Sequence, residues 1–432
     1  MQISLEQALL SGPKTSKQLQ AELGMSQPTL SRLIIKNAAQ VLTIGRARAT
    51  RYALKRLNAQ PVFHIDKQGH VSLLAMLHII HGGYWLEYNN SPERNQFYES
   101  LPWFFADIRP QGFLGQRFVQ HCIDLGLPNS LRDWNDDHVV FALAQRGEDA
   151  PGNLIIGDVA CERWQRKRYE PDQIAWSQRE QKYPLMAQAV LAGEAPTSSA
   201  GGEQPKFLAM INRKTQSYAV LVKFSEPINS IVGRRWADLL VAEHHALTVM
   251  RAKKHLAAET NLVFAENRIF LEVTRFDRVG VSGRLGLISL GAIDDEFIGE
   301  RRDWLSTVKR LKTIGYLNQD AVEAVAWQQA FAIFIGNNDR HFGNLSLHYD
   351  GEWPAQLTPA YDMLPMMDAP IRGELPSNPF QPLTLIYTDF ALVNDARQAA
   401  ILFWGRVAND EMVSHDYRLE AIKRQKILEA MI

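Results

Sequence analysis

Apolar residues recur at helical spacing in three short segments near the N-terminus, each opened by a small polar residue. Ser4 and Thr15 each stand three residues before a glutamine, which is the arrangement of a capping box. Gly24 has the position of a C-cap glycine, and Ser26 stands where it would cap a third helix over residues 27–37. The pattern therefore predicts three helices, the last two joined by a short turn as in a helix-turn-helix.

Two strand-like runs follow, at residues 41–44 and 50–54, separated by a turn at 45–48. A β-hairpin directly after a helix-turn-helix indicates a wing, so we predict a winged helix-turn-helix DNA-binding domain over residues 1–60. Its contacts to bases and phosphates would come from the start of the third helix and from the wing, through Gln27, Thr29, Ser31, Arg32, Arg46, Arg48 and Arg51.

The distribution of charge favours a polyanionic partner for this domain. Over the whole chain 47 Lys/Arg balance 47 Asp/Glu. Residues 1–60 nevertheless hold nine Lys/Arg and two Asp/Glu, a sum of 9 − 2 = +7. The alternative is a small helical domain whose solvated basic hairpin contacts another protein.

Residues 61–190 predict a β-rich subdomain and contain no pattern that indicates a reaction. Short strands are expected on either side of turns at 66–69 and 82–83. No two of the histidines scattered through this segment form a metal-ligand pair with a nearby acid or cysteine, so we expect a scaffold.

The composition is that of an ordinary globular protein of two or three domains. The chain has 432 residues, of which 46% are hydrophobic and 22% charged. Two cysteines do not make a disulfide framework, which fits a reducing compartment. With no apolar run of membrane-spanning length and no signal-peptide pattern, we expect a cytoplasmic protein without membrane contact.

A small, polar, glycine-containing segment, 192–205, runs into a predicted hairpin with strands at 207–211 and 218–224. Glycines at such a place let backbone N–H groups approach a phosphate, although a plain linker has the same composition. Lys223 lies within the apolar second strand, where it would either neutralise ATP phosphates or protect a sheet edge. Glu243, in a helix predicted over 236–255, could pair with it.

The densest polar cluster of the chain, at residues 337–344, stands between two apolar runs. Asp339 and Asn344 have the Asp-x₄-Asn spacing of a kinase catalytic loop, in which the aspartate accepts the hydroxyl proton and the asparagine holds Mg²⁺. Asp362 follows at the place of a second Mg²⁺ ligand. Separately each has a simpler interpretation, since Asp339 could cap a helix or pair with a neighbour. Together and in this order they predict a kinase-type phosphotransferase.

At this point the sequence resembles the HipA family of bacterial serine/threonine protein kinases of toxin–antitoxin type, from about residue 62 to the C-terminus. The resemblance is carried by SSAGGEQPK at 198–206, by Lys223, by RFDR at 275–278, by NDRHFGN at 338–344 and by YD at 361–362. It implies an α+β, two-lobed, protein-kinase-like HipA fold, with a β-rich N-lobe and a helical C-lobe, here preceded by a winged helix. The nucleotide-binding part would span 191–280 and the catalytic lobe 281–432.

The resemblance also implies cofactors and roles. ATP and Mg²⁺ would be required, with Asp339 as catalytic base and Asn344 and Asp362 as Mg²⁺ ligands. The residues expected to contact ATP are Lys223, Gly201, Gly202, Thr274 and Phe276, with Glu243 as the partner of the lysine. The loop serine that is autophosphorylated in the family would be Ser198, with Ser199 as second choice.

The N-terminal domain is the departure from the family, whose members usually borrow DNA binding from a separate helix-turn-helix antitoxin. A HipB-like partner is therefore possible rather than required. The rival interpretation is a DNA-binding transcriptional regulator whose kinase-like body only binds nucleotide or a partner. A kinase that acts on a small molecule instead of a protein is the other alternative.

Overall fold

The computed structural model describes residues 3–169, 172–192, 204–214, 216–377, 379–382 and 389–431. These form two compact units, Met1–Arg109 with Cys122–Tyr169 and Pro110–His121 with Glu170–Ile432. None of the described helices has the length and apolar character needed to cross a membrane.

The first unit opens with a module of three helices and a three-stranded antiparallel sheet in the order β1-β3-β2. Leu9, Leu19 and Leu30 are fully buried at its centre. The elements of this N-terminal module are α1 (Leu5–Leu9), β1 (Lys14–Thr15), α2 (Ser16–Leu23), α3 (Gln27–Lys36), β2 (Val41–Ile44) and β3 (Arg51–Leu54).

The helix caps of this module follow the predicted chemistry with one exception. Ser4 and Thr15 form the predicted capping boxes, and Gly24 ends α2 with a φ of 64°. Ser26 occupies the predicted N-cap position of the third helix, but its side chain makes no cap hydrogen bond and its Oγ lies 3.0 Å from Thr29 Oγ1. Pro28, in the first turn of α3, lacks one of the N–H groups that a cap would accept.

The hairpin is also more elaborate than its sequence suggested. A 3₁₀ turn at Ala47–Ala49 forms its tip, and β3 begins at Arg51. The short strand β1, which the sequence did not indicate, pairs with β3 on its other side.

The remainder of the first unit is a five-stranded antiparallel sheet, in the order β7-β6-β5-β4-β8, with two helices. The turns predicted at 66–69 and 82–83 are present between its strands. One helix from this stretch of sequence, α4 (Gly112–His121), belongs to the second unit. The elements are β4 (Gln60–Ile65), β5 (Val71–Ile80), β6 (Gly83–Tyr88), β7 (Gln96–Tyr98), α5 (Asp136–Arg146), β8 (Leu154–Ile156) and α6 (Asp158–Tyr169).

The N-terminal module is continuous with this sheet. Ile44 and Ala53 of the hairpin share an apolar cluster with Ile80 and Trp85. The His81 N–H donates to the Leu54 carbonyl at 2.9 Å, so backbone hydrogen bonds also join the two parts.

The second unit begins with a five-stranded sheet in the order β12-β13-β11-β10-β9. One face packs on a helix that precedes the glycine-containing segment, and the other packs on a long helix capped by Ser230. That helix starts before the predicted Trp236. The elements are β9 (Gln173–Ala175), α7 (Arg179–Ala192), β10 (Lys206–Arg213), β11 (Gln216–Phe224), α8 (Ile231–Ala252), β12 (Thr260–Ala265) and β13 (Arg268–Thr274).

A mostly helical part completes the second unit. Phe331, Phe403 and Trp404 are fully buried in a core to which α8 also contributes. The elements are β14 (Arg278–Val279), β15 (Gly283–Arg284), β16 (Ile288–Ser289), α9 (Leu290–Phe297), α10 (Trp304–Thr313), α11 (Gln319–Phe334), β17 (Ser346–His348), β18 (Gln356–Leu357), α12 (Phe390–Asn409) and α13 (His415–Ala430).

Candidate functional site

Lys223 lies at the centre of a buried charge cluster in the second unit. Its Nζ is 2.7 Å from each carboxylate oxygen of Glu243 and 2.6 Å from Oδ1 of Asp362. These partners are 20 and 139 residues away along the chain. The predicted pairing of Lys223 with Glu243 is therefore confirmed, and Asp362 joins the same cluster.

The sheet explains why this lysine points inward. β11 lies between β13 and β10, so Lys223 has Leu271 on one side and Lys206 on the other. The interpretation of Lys223 as a lysine that protects a sheet edge is therefore wrong. Helix α8 covers this face of the sheet and brings Glu243, which is fully buried, to the ammonium group.

The groups of the cluster shift one another's pKa values in different directions. Burial alone would lower the pKa of Lys223, but the carboxylates of Asp362 and Glu243 outweigh it and raise that pKa above its ordinary value. Burial raises the pKa of Glu243 against the effect of Lys223. Burial raises the pKa of Asp362, but the positive charges of Lys223 and Lys206 outweigh burial and lower that pKa below its ordinary value. Two carboxylates thus lie against the Lys223 ammonium, and Lys206 adds a second positive charge close to Asp362.

The loop after α11 is built from its own asparagines. Gly336 ends the helix with a φ of 77°, in the left-handed region that favours glycine. The Asp339 N–H donates to Asn337 Oδ1 at 3.0 Å, and Asn344 Nδ2 donates to the Asp339 carbonyl at 2.9 Å. Asn337 Nδ2 donates in turn to the Asp362 carbonyl at 3.3 Å. We call residues 361–368 the Asp362 segment. The loop and the Asp362 segment are therefore joined directly by this hydrogen bond.

These bonds leave the Asp339 carboxylate and the Asn344 Oδ1 available. The Asp339 carboxylate is exposed and makes no hydrogen bond or ion pair with the residues that the structure describes. The simpler interpretations of Asp339, as a helix cap or as the partner of Arg340 or His341, are therefore wrong. Asn344 is buried and uses its amide nitrogen within the loop, while its Oδ1 accepts no hydrogen bond from the described residues.

Asp362 has a strained backbone for a residue with a side chain. Its φ of 51° is in the left-handed region, which costs about 1–3 kcal/mol and persists only where the surroundings determine it. The bonds from Asn337 to its carbonyl and from Lys223 to its carboxylate provide that determination. Its side chain keeps 36% of its exposure, so it is open on one side.

Three further residues brace the loop, and the sequence predicted a chemical role for none of them. His341 Nδ1 accepts from the Gly343 N–H at 3.0 Å, and Trp304 Nε1 donates to the His341 carbonyl at 3.2 Å. The Tyr361 hydroxyl donates to the Gly343 carbonyl at 2.6 Å. His341 and Tyr361 lie within the motifs NDRHFGN and YD, whereas Trp304 had no signal in the sequence.

Two of the residues predicted to contact ATP, Thr274 and Phe276, already have contacts within the protein. The Thr274 N–H donates to the Glu259 carbonyl at 2.8 Å, so this amide is already engaged within the protein. The ring of Phe276 packs on that of Tyr361, with centroids 5.4 Å apart. The structure therefore places Phe276 against Tyr361, the residue before Asp362, and engages the amide of Thr274 within the protein.

The glycine-containing loop itself, with Gly201, Gly202, Ser198 and Ser199, lies outside the described residues. The described chain resumes at Gln204, and Lys206 is the partner of Lys223 across β10 and β11. The loop thus ends beside the charge cluster.

In the first unit the residues predicted to contact DNA differ in availability. Arg46, Arg48 and Arg51 are exposed and form no ion pair with any residue of the described chain. Gln27, by contrast, accepts hydrogen bonds at 2.6 Å from Ser16 and Gln20, which tie α3 to α2. Thr29 and Arg32 are exposed and Ser31 is half-buried.

Comparison with known proteins gives two family matches along the chain. Residues 198–422 match the HipA-like C-terminal domain, and residues 56–165 match the middle domain of YjjJ-like toxins. The chain is 35% identical over 425 residues to the toxin YjjJ of Escherichia coli (strain K12), covering 96% of this chain and 94% of that protein.

Among solved structures the chain is similar to Shewanella oneidensis MR-1 HipA, which was solved with HipB and its operator DNA. The TM-score is 0.50 at 13% identity, covering 86% of this chain and 96% of that chain. A weaker similarity, with a TM-score of 0.38 over 55% of this chain and 91% of that chain, is to the Helicobacter pylori proinflammatory kinase CtkA, also at 13% identity. The first of these confirms the predicted α+β, kinase-like HipA fold.

Proposed function

The chain belongs to the HipA-like toxin family, and on that premise we propose that it is an ATP- and Mg²⁺-dependent serine/threonine protein kinase, the toxin of a toxin–antitoxin system. The observation that carries the proposal is the cluster of Lys223, Glu243 and Asp362. A lysine on an interior strand, held by a helix glutamate, is the arrangement with which kinases bind the α- and β-phosphates.

The residues of the site fit Mg²⁺ as well as nucleotide. Among the residues that the structure describes, no group of three or more His, Cys, Asp or Glu could hold a metal ion by itself. Mg²⁺ does not need such a group, because it is usually bound by one or two carboxylates together with phosphates and water. The carboxylate of Asp362 and the free Oδ1 of Asn344 are hard oxygen donors of that kind.

Each residue then has a distinct task. Lys223 neutralises phosphate charge, and Glu243 holds the lysine in place. The unpaired carboxylate of Asp339 accepts the proton of the attacking substrate hydroxyl. Mg²⁺, when bound through Asn344 and Asp362, would neutralise charge on the transferring phosphoryl group.

The remaining predicted residues would contact the nucleotide from other sides. Phe276 offers an aromatic face beside Tyr361. The loop with Gly201 and Gly202 is proposed to cover the phosphates, with Ser198 or Ser199 as its autophosphorylated serine.

We also propose that the N-terminal module binds DNA as a winged helix. The support is the +7 charge of residues 1–60 and the exposed, unpaired arginines of the hairpin. Shewanella HipA is found with a separate HipB on operator DNA. In this chain residues 1–60 would bind DNA themselves, with or without a HipB-like antitoxin. The proposed location of the protein is the cytoplasm.

The test is transfer of labelled phosphate from ATP to protein. We expect the wild type to label itself or a protein of a cell extract, and Asp339→Ala to lower the rate about 10²–10⁴-fold, the usual contribution of a general base. Glu352→Ala is the matched control, because Glu352 is an exposed, unpaired carboxylate of the same unit. It should label as the wild type does.

The outcomes separate the rival functions. If the wild type binds nucleotide but transfers no phosphate, the regulator with a kinase-like body is correct. Label that appears only in small molecules would identify a small-molecule kinase. Equal labelling by wild type and Asp339→Ala would show that Asp339 is not the catalytic base.

A further inference from the structure

A second buried charge cluster lies six residues past Asp362. The carboxylate of Asp368 accepts two hydrogen bonds from the guanidinium of Arg424, at 2.6 and 2.7 Å, and one from the Tyr417 hydroxyl at 2.7 Å. All three side chains are almost fully buried, at 5%, 3% and 1% exposure. We call Asp368, Arg424 and Tyr417 the Asp368 cluster.

The cluster is fully matched in charge and hydrogen bonding. The Arg424 guanidinium stacks against the rings of Phe380 and Trp404, at 5.1 and 4.8 Å. Burying an ion pair costs desolvation energy that apolar residues would not cost. A pair with such complete partners is therefore better explained by the geometry it specifies than by stability.

That geometry concerns the segment that carries Asp362. Asp368 ends this segment, and Arg235 of α8 donates to the Asp368 carbonyl at 3.3 Å. The Arg235 guanidinium also lies 4.7 Å from the centre of the Tyr417 ring. Helix α8 is the helix that carries Glu243. The cluster thus joins α13, α8 and the Asp362 segment.

The Asp362 segment also contacts the loop after α11. The Met367 N–H donates to the Gly336 carbonyl at 3.1 Å. A Cβ added at Gly336 would lie 2.6 Å from Met367 Sδ, and the φ of 77° at this position also favours glycine. The start of the loop and the end of the Asp362 segment are therefore in contact and share a backbone hydrogen bond.

We propose that the Asp368 cluster positions Asp362 for Mg²⁺ binding. This inference rests on the proposed kinase function. Asp362 holds a strained φ that its surroundings must impose, and its segment is fixed at one end by Lys223 and Asn337 and at the other by Asp368. Loosening the second end lets the strain relax and moves the carboxylate from its place. Asp368, Arg424 and Tyr417 are positioning residues and touch no reacting group.

The structure offers a matched control. Asp238 of α8, which is 1% exposed, accepts from the Ser414 N–H at 2.7 Å and the Ser414 hydroxyl at 2.6 Å, just before α13. It therefore links α8 to α13 as the Asp368 cluster does, but it makes no hydrogen bond or ion pair with the described residues of the Asp362 segment. Asp238→Asn should weaken the docking of α13 without moving Asp362.

The experiment measures binding of a fluorescent ADP analogue to the full chain, with and without Mg²⁺. The thermal midpoint of unfolding is measured for each variant as a second readout. In Asp368→Asn we expect Mg²⁺-free binding to be unchanged and the Mg²⁺ concentration for half-saturation to rise about tenfold, at the lower end of what loss of an outer-shell partner does to metal affinity. Tyr417→Phe keeps the buried ring and gives a milder variant, with a smaller rise, should Asp368→Asn fail to fold. Asp238→Asn should lower the thermal midpoint with no change in the Mg²⁺ concentration.

Two results would overturn the inference: an unchanged Mg²⁺ requirement in a folded Asp368 or Tyr417 variant, or an equal rise in Asp238→Asn. A wild type whose ADP binding does not depend on Mg²⁺ contradicts the proposed function itself and the inference with it. The wild-type titration therefore tests the function, and the comparison of variants tests the positioning role.

Discussion

The N-terminal module and the Lys223 site use positive charge in opposite ways. Arg46 and Arg48 stand exposed on a hairpin without an ion-pair partner in the described chain. Lys223 is buried between two carboxylates. An exposed arginine costs the fold almost nothing and is available to a polyanion, whereas a buried lysine is tolerated only with partners in place. The first arrangement suits a surface that binds through charge, and the second suits a site with one required geometry.

The largest effect is expected where a buried partner is removed. Lys223→Met should lower phosphate transfer by more than about 10²-fold, as loss of a fixed electrostatic contact does. It should also cost about 3–5 kcal/mol of unfolding free energy near pH 8, because Glu243 stays buried without its counter-charge. Phosphate transfer and urea unfolding measure the two effects. Lys182→Met, at an exposed lysine of α7, is the control and should change neither.

The pH dependence of that stability loss gives an independent check. Burial raises the pKa of Glu243, and without Lys223 it would rise further. The folded variant then binds a proton more tightly than the unfolded chain, so its stability increases as the pH falls from the raised pKa toward the ordinary carboxyl value of about 4.3. We expect the stability difference between Lys223→Met and wild type to shrink between pH 8 and pH 5.5 in urea unfolding. A difference independent of pH would show that Glu243 is not the unpaired group.

At the exposed arginines we expect an effect on binding without an effect on the fold. The double variant Arg46→Ala/Arg48→Ala should leave the unfolding free energy within about 0.5 kcal/mol of wild type. The slope of log affinity for duplex DNA against log salt concentration should become shallower by about 2, since each phosphate contact contributes about 0.9.

A double variant at two other exposed cations of the first unit, Lys67→Ala/Arg132→Ala, is the control for that measurement. It should retain the wild-type slope. Equal slopes in all three proteins would refute the assignment of the hairpin as a DNA-binding wing.

The smallest effect distinguishes two helix starts within the N-terminal module. Thr15 accepts the N–H of Gln18, whereas Ser26 makes no cap bond. Thr15→Ala should therefore cost about 1 kcal/mol of local stability, which speeds amide hydrogen exchange in α2 about fivefold. Ser26→Ala should leave exchange in α3 nearly unchanged. The reverse order would mean that the two capping geometries are misassigned.

The sequence by itself determined those features whose causes lie within a few residues. The capping boxes at Ser4 and Thr15, the hairpin around residues 45–48 and the spacing of Asp339 and Asn344 all rest on neighbours in the chain. Even here Pro28 lacks one backbone N–H group in the first turn of α3, and Ser26 stands at the N-cap position without a side-chain cap hydrogen bond. The family resemblance added the α+β, kinase-like HipA fold, which the comparison with a solved HipA confirmed.

Only the tertiary structure decided what those residues touch. Lys223 meets Asp362 across 139 residues, because β11 became an interior strand rather than an edge. The freedom of the Asp339 carboxylate and the engagement of the Thr274 amide depend in the same way on groups that folding brings near. The Asp368 cluster had no local signal at all, since an aspartate and an arginine 56 residues apart look like any two surface charges. Side-chain pairing in a buried site depends on the path of the whole chain, and that path is not encoded in any short segment.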